Sequence, residues 1–206
     1  MKRDGRLRSV LIWVVLVITL AVPIAAATTS PLLAWRDPIY IAAGIAGVIA
    51  MSLMLMQPLL AAGYLPGVSM ARGRRVHRWI GSFLVTAIAV HVAGLWITSP
   101  PDVLDALFFV SPTQFSAWGV IAMWAVFTTA LLAALRRRMR MRLRLWRLGH
   151  TGLVTVAVIG SSIHALLIEG TMETVSKAVL CALVLIATVK ALADLKIWEV
   201  WKRRDT

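Results

Sequence analysis

Six apolar runs of about 20 residues each, separated by short polar or proline-bearing segments, set the pattern of this chain. They cover Val10–Ala27, Ile39–Ala62, Val76–Thr98, Phe115–Leu135, Leu148–Ile168 and Val175–Leu195. Each is long enough to cross the hydrocarbon of a bilayer as a helix. Ser30-Pro31, Leu65-Pro66-Gly67, Ser99-Pro100-Pro101-Asp102 and Ser111-Pro112 read as loops between them. The pattern predicts an all-α integral membrane bundle of six transmembrane helices over residues 10–195, with residues 1–9 and 196–206 as short tails. It leaves no room for a separate soluble domain.

Composition agrees with a membrane domain: 60% of the 206 residues are hydrophobic, and the mean hydropathy is +0.83. The single cysteine, Cys181, lies inside an apolar run, which excludes a disulfide framework, an iron–sulfur centre and a zinc ribbon. A net charge of +13 raises the question of nucleic acid, but the charges cluster between apolar runs and no nucleic-acid motif accompanies them. Membrane topology explains them instead. Of 22 basic residues, 19 fall in the N-terminus, the second loop, the fourth loop and the tail, whereas the opposite loops hold only Arg36 and Lys177. The remaining one, Lys190, sits in the last apolar run. By the positive-inside rule both termini are expected in the cytoplasm, in a multi-pass protein of the cell's inner (plasma) membrane. The basic start and Ala25-Ala26-Ala27 resemble a cleavable secretory signal. Retention of the first helix is nevertheless expected, because it gives the even count that keeps both basic ends inside.

The chemistry is carried by histidine. All four histidines lie in two of the runs, His77 and His91 in the third, His150 and His164 in the fifth, and each pair is 14 residues apart. On a helix that spacing is about 21 Å and returns to within about 40° of the same azimuth. Both helices run outward in the expected topology. His77 is therefore matched in depth with His150 near the cytoplasmic side, and His91 with His164 near the other. An imidazole in hydrocarbon still has polar atoms to satisfy, so ionisable groups at depth are usually functional. Two nitrogens facing across a flat slot suit a haem iron. Zinc would want three or four ligands converging at one depth. The competing explanation is that each histidine is an interhelical hydrogen-bonding residue.

Neighbouring residues extend the same picture. Gly81, Gly94, Gly149, Gly152 and Gly160 largely share the histidine face and would admit a porphyrin edge, although glycine also promotes close packing of membrane helices. Arg74, Arg78 and Arg147, with Arg75 and Arg144, stand near His77 or His150 as possible partners for haem carboxylates, or else as topological anchors. Trp79, Trp96, Trp118 and Trp146 near run ends suit an interfacial belt.

At His77-Arg78-Trp79-Ile80-Gly81 followed by His91, and at the arginine-rich segment leading through Trp146 to His150 and His164, the chain resembles the ferric reductase-like transmembrane domain family. That family includes the membrane parts of NADPH oxidases and ferric reductases. The resemblance implies two b-type haems, one ligated by His77 and His150 and the other by His91 and His164. It also reaches the haem-bearing membrane subunit of the bacterial methionine sulfoxide reductase system, which usually has no histidine at the position of His77. No Gly-rich dinucleotide fingerprint occurs in the sequence, so a flavin or nicotinamide domain of its own is not expected.

The function expected from this is an electron conduit. A separate flavin reductase, reduced flavin or quinol would donate on the cytoplasmic side, and a periplasmic or extracellular acceptor would receive on the other. Two rivals stand beside it: a dihaem cytochrome b fed by quinol or ascorbate, and a haem-free six-helix transporter or assembly scaffold whose histidines only join helices.

Overall fold

A computed structural model describes residues 3–170 and 172–195. Among the described residues there are seven helices and no strands: α1 Arg3–Thr28, α2 Pro38–Ala61, α3 Met70–Thr98, α4 Pro100–Leu107, α5 Gln114–Leu135, α6 Leu143–Leu167 and α7 Thr174–Asp194. Six of them, all but α4, are long and apolar enough to span a membrane. The expected six-helix membrane bundle is therefore what the chain forms. The tail with Lys196, Lys202, Arg203 and Arg204 lies outside the described residues.

Local chemistry sets the helix ends. Pro38 begins α2 where a missing N–H is harmless, and the carboxylate of Asp37 accepts from Ile39 N at 2.7 Å and Tyr40 N at 3.4 Å. The same helix ends at Gly63, whose φ of +72° turns the chain while Tyr64 N donates back to the Leu59 carbonyl. Ser69 caps α3 through Arg72 N. At the far end of α7, Lys190 is held by Asp194 at 2.8 Å, and the same carboxylate accepts from Tyr64 Oη, tying the loop after α2 to the last helix.

One of the expected loops is a helix. Ser99-Pro100-Pro101-Asp102 opens α4 instead of making a turn, because proline is tolerated in the first helical turn and Asp102 there suits the positive end of the helix dipole. Ser99 Oγ donates to the Asp102 carboxylate at 2.5 Å.

Glu173 caps α7, its carboxylate accepting from Val175 N at 2.6 Å and Ser176 N at 2.7 Å. The amides of Ser176 and Val175 hold that carboxyl below the ordinary glutamate value of 4.5. A depressed carboxylate contributes stability above its unfolded pKa and loses it as pH falls through the folded value. Wild type is accordingly expected to melt above Glu173→Ala at neutral pH, with the gap narrowing as pH drops below 4.5. Thermal melts across that range check it, and a gap that ignores pH would mean the charge of the cap is not what holds α7.

Two helix pairs organise the bundle. α2 packs along α3 and α5 along α6, each more extensively than any other two helices, while α7 touches both α2 and α6, and α1 lies against α2 and α7. α3 and α6, the histidine helices, pack on their own partners rather than on each other. Met51, Met54, Leu55, Leu180 and Val184 form the centre of the buried core. Large apolar side chains of α1, α3 and α5 such as Val15, Phe83, Trp124 and Leu131 face outward, as a lipid-solvated surface requires.

Candidate functional site

The fold sets the four histidines at two levels of the bundle. His77 lies in the third turn of α3 and His150 in the third turn of α6, both at the end of the bundle where the arginines cluster. His91 and His164 lie toward the opposite end, which carries Asp102, Asp105, Glu169 and Glu173. His91 and His164 also line one cavity of about 450 Å³, within the range of small-molecule and cofactor pockets.

The acidic-end pair is built twice by the same device. His91 Nδ1 donates to the Ala43 carbonyl of α2 at 2.7 Å, and His164 Nδ1 donates to the Phe115 carbonyl of α5 at 2.8 Å. One turn further along each supporting helix is a glycine against which the imidazole rests. A Cβ at Gly47 would stand 3.0 Å from His91 Nδ1, and one at Gly119 would stand 2.7 Å from His164 Nδ1. One turn further again come Met51 and Met123, both on the cavity wall. Ala43 and Phe115 are 72 residues apart, as are Gly47 and Gly119 and Met51 and Met123, while His91 and His164 are 73 apart. The pair α2–α3 and the pair α5–α6 thus repeat one arrangement.

The hydrogen bonds fix the tautomer. A carbonyl can only accept, so Nδ1 carries the proton and Nε2 keeps a free lone pair. No hydrogen bond is made by any histidine Nε2 among the described residues. In His77, His91 and His164 one nitrogen therefore joins two helices, as the hydrogen-bonding reading expects, while the other is left with a lone pair that a ligand role would use.

The basic-end pair is less symmetric. His77 Nδ1 donates to the Gln57 carbonyl at 3.2 Å. His150 Nδ1 is buried without a partner, as are Trp146 Nε1 and Gln57 Nε2. Instead His150 is stacked on Trp146, with ring centroids 5.1 Å apart and planes 23° apart, and the Arg136 guanidinium lies 4.4 Å from the centre of the Trp146 ring. Trp146 thus packs on a candidate site residue from its place near the end of the span. Trp79, Trp96 and Trp118 keep exposed faces as a belt requires.

The other residues singled out in the sequence take various places in the structure. Arg74, Arg78 and Arg147 are exposed at the basic end, and their guanidinium groups make no hydrogen bond or ion pair among the described residues. Gly94 and Gly160 are not slots for a ligand: each takes a neighbouring helix, with Gly94 against Ala43 and Gly160 against Ala122 and the Trp118 carbonyl. Gly149 faces Leu132, Gly81 is in ordinary contact with Gln57, and Gly152 faces open space. The glycines that serve the histidines, Gly47 and Gly119, lie on the other two helices. Their signal was the shared 72-residue offset.

The donor set fits a haem iron. An imidazole pair at each level would suit its need for nitrogen ligands, while no group of three or more histidine, cysteine or acidic side chains among the described residues could hold a bare metal ion. Each imidazole of the acidic-end pair is oriented by a backbone carbonyl, the usual support for a metal-binding histidine.

A family model described as the ferric reductase like transmembrane component matches residues 43–161, more than half of the chain. The match begins at Ala43, takes in Gly47, His77, His91, Gly119 and His150, and stops three residues before His164. No curated protein matches the chain. No solved structure matches it either.

Proposed function

The chain belongs to the ferric reductase-like transmembrane component family, and from that premise we propose that it passes electrons across the membrane through two b-type haems. His77 and His150 would hold one haem, His91 and His164 the other. Haem supplies a one-electron couple when bound. The observation that carries this reading is the repeated carbonyl, imidazole and glycine arrangement on two helix pairs about a shared cavity.

The protein's own groups do the rest. The Ala43 and Phe115 carbonyls orient the outer imidazoles and raise their basicity. The imidazole pair at each depth would hold the haem, so oxygen or ferric iron would be reduced at the haem edge or on a partner protein. An acceptor would be met at the acidic end, where the cavity is lined by Ser99, Ser111, Thr113 and Ser116. The arginine-rich ends of α3 and α6 support a cytoplasmic basic end, with both termini inside and the acidic end outside the inner (plasma) membrane. Donation would come from a separate flavin reductase, reduced flavin or quinol, and the acceptor would be periplasmic or extracellular. The Arg136, Trp146 and His150 stack links the basic surface to the inner pair.

Absorption spectroscopy of the purified chain tests the proposal. Split b-type bands and about two haems per chain are expected, falling to about one in His91→Ala or His77→Ala and to none in the double variant. A colourless protein from haem-replete cells would leave a transporter or scaffold in place of the conduit.

A further inference from the structure

Lys177 is the one buried charged side chain among the described residues, 6% exposed, and it lines the same cavity as His91 and His164. Its ammonium donates to the Ile168 carbonyl at 2.8 Å. Lysine has three N–H donors, and no other hydrogen bond from this one occurs among the described residues. The only ion pair among the described residues is Lys190 with Asp194, so neither Asp102 nor Asp105, which also line the cavity, neutralises it. Glu173, four residues earlier, makes no ion pair with it, and both of its carboxylate oxygens are engaged by the cap of α7.

Two physical arguments say that this ammonium is incomplete. A buried cation held only by a neutral carbonyl is expensive unless an anion is close. Lys177 also sits in the first turn of α7, the end of a helix where positive charge is disfavoured. Its position is nevertheless well defined: Ile168 follows His164 by four residues, about 6 Å along a helix, and its N–H is bonded to the His164 carbonyl. The ammonium is thus fastened to the end of the helix that presents His164, about one turn beyond the imidazole.

We infer that Lys177 anchors a carboxylate of the group held between His91 and His164. The inference rests on the haem reading, since porphyrin carries two carboxylates along one edge. It assigns the anchoring role at this end to a residue of α7, beyond the matched region.

The test separates anchoring from ligation. Haem and haem dimethyl ester, whose carboxylates are blocked, are titrated into haem-depleted chains carrying His77→Ala, so that only the acidic-end pair binds. With Lys177 present, haem is expected to bind about tenfold tighter than the ester, the size of one charge-assisted hydrogen bond. Lys177→Met should erase that preference and Lys177→Arg should keep it; if Lys177→Met does not fold, Lys177→Gln takes its place in the same comparison. An equal preference with and without the lysine overturns the inference while leaving the haem reading intact. No uptake of either compound by the chain that retains Lys177 overturns the haem reading itself, and the inference with it.

Discussion

On the two-haem proposal, Gly119→Ala is expected to strip the acidic-end haem from the chain and leave the basic-end one in place. The added methyl would lie 2.7 Å from His164 Nδ1 and 2.9 Å from its Cε1, closer than real side chains approach. The ring has little freedom to retreat, because Nδ1 is held by the Phe115 carbonyl at 2.8 Å and the Phe115 ring lies edge-on to it at 5.8 Å. Either the hydrogen bond breaks or α6 moves away from α5. Losing an orienting contact to a metal-bound histidine costs about 10–100-fold in affinity. Direct displacement of the ring places this variant near the upper figure, about 100-fold. Gly47→Ala should do the same to His91 more weakly, since its methyl would meet the ring at 3.0 and 3.2 Å. Haem per chain, read with the absorption spectrum, is the measurement. Full occupancy and an unchanged spectrum in Gly119→Ala would contradict the cradle.

A second large effect is expected at Gly94, through packing and not ligation. A methyl there would stand 2.7 Å from the Ala43 Cβ and 3.3 Å from the Ile39 carbonyl, atoms fixed to the backbone of α2. Neither can rotate aside, so α3 must separate from α2, and overpacking of this kind costs about 1–3 kcal/mol. The damage reaches the site as well, because Ala43 also supplies the carbonyl that positions His91. Gly94→Ala should therefore melt earlier than wild type in detergent, with or without haem, and hold the outer haem less tightly. Gly152→Ala is the control: nothing lies within 4 Å of its new methyl, and its stability should match wild type or slightly exceed it. Equal melting of Gly94→Ala and wild type would remove the close helix contact from the explanation.

The spans and the histidines were legible because both signals are local. Twenty apolar residues in a row declare a membrane helix, and a 14-residue spacing within one helix fixes azimuth and depth together. Gly47 and Gly119 were not legible in that way, since each serves a histidine more than 40 residues away on another helix. Their role follows from which helices become neighbours, and periodicity inside one run says nothing about that. Gly94 and Gly160 misled for the same reason: sharing the histidine side of a helix does not say whether ligand or helix stands opposite. Trp146 looked like an interfacial anchor because it lies at a run end, yet it precedes His150 by four residues and so stacks on it. The proline pair at Pro100 and Pro101 read as a breaker although proline also starts helices, and α4 contributes Val103, Asp105 and Leu107 to the cavity wall.

Because α3 and α6 pack on separate partners, a guest gripped by His91 from one pair and His164 from the other, as proposed, would add a clasp between two halves that α7 already bridges. Loading and cohesion are then one equilibrium: at a free concentration a hundred times its dissociation constant, a ligand confined to the assembled form adds about 2.7 kcal/mol to it. On the proposed reading, maturation of the bundle would then answer to cofactor supply.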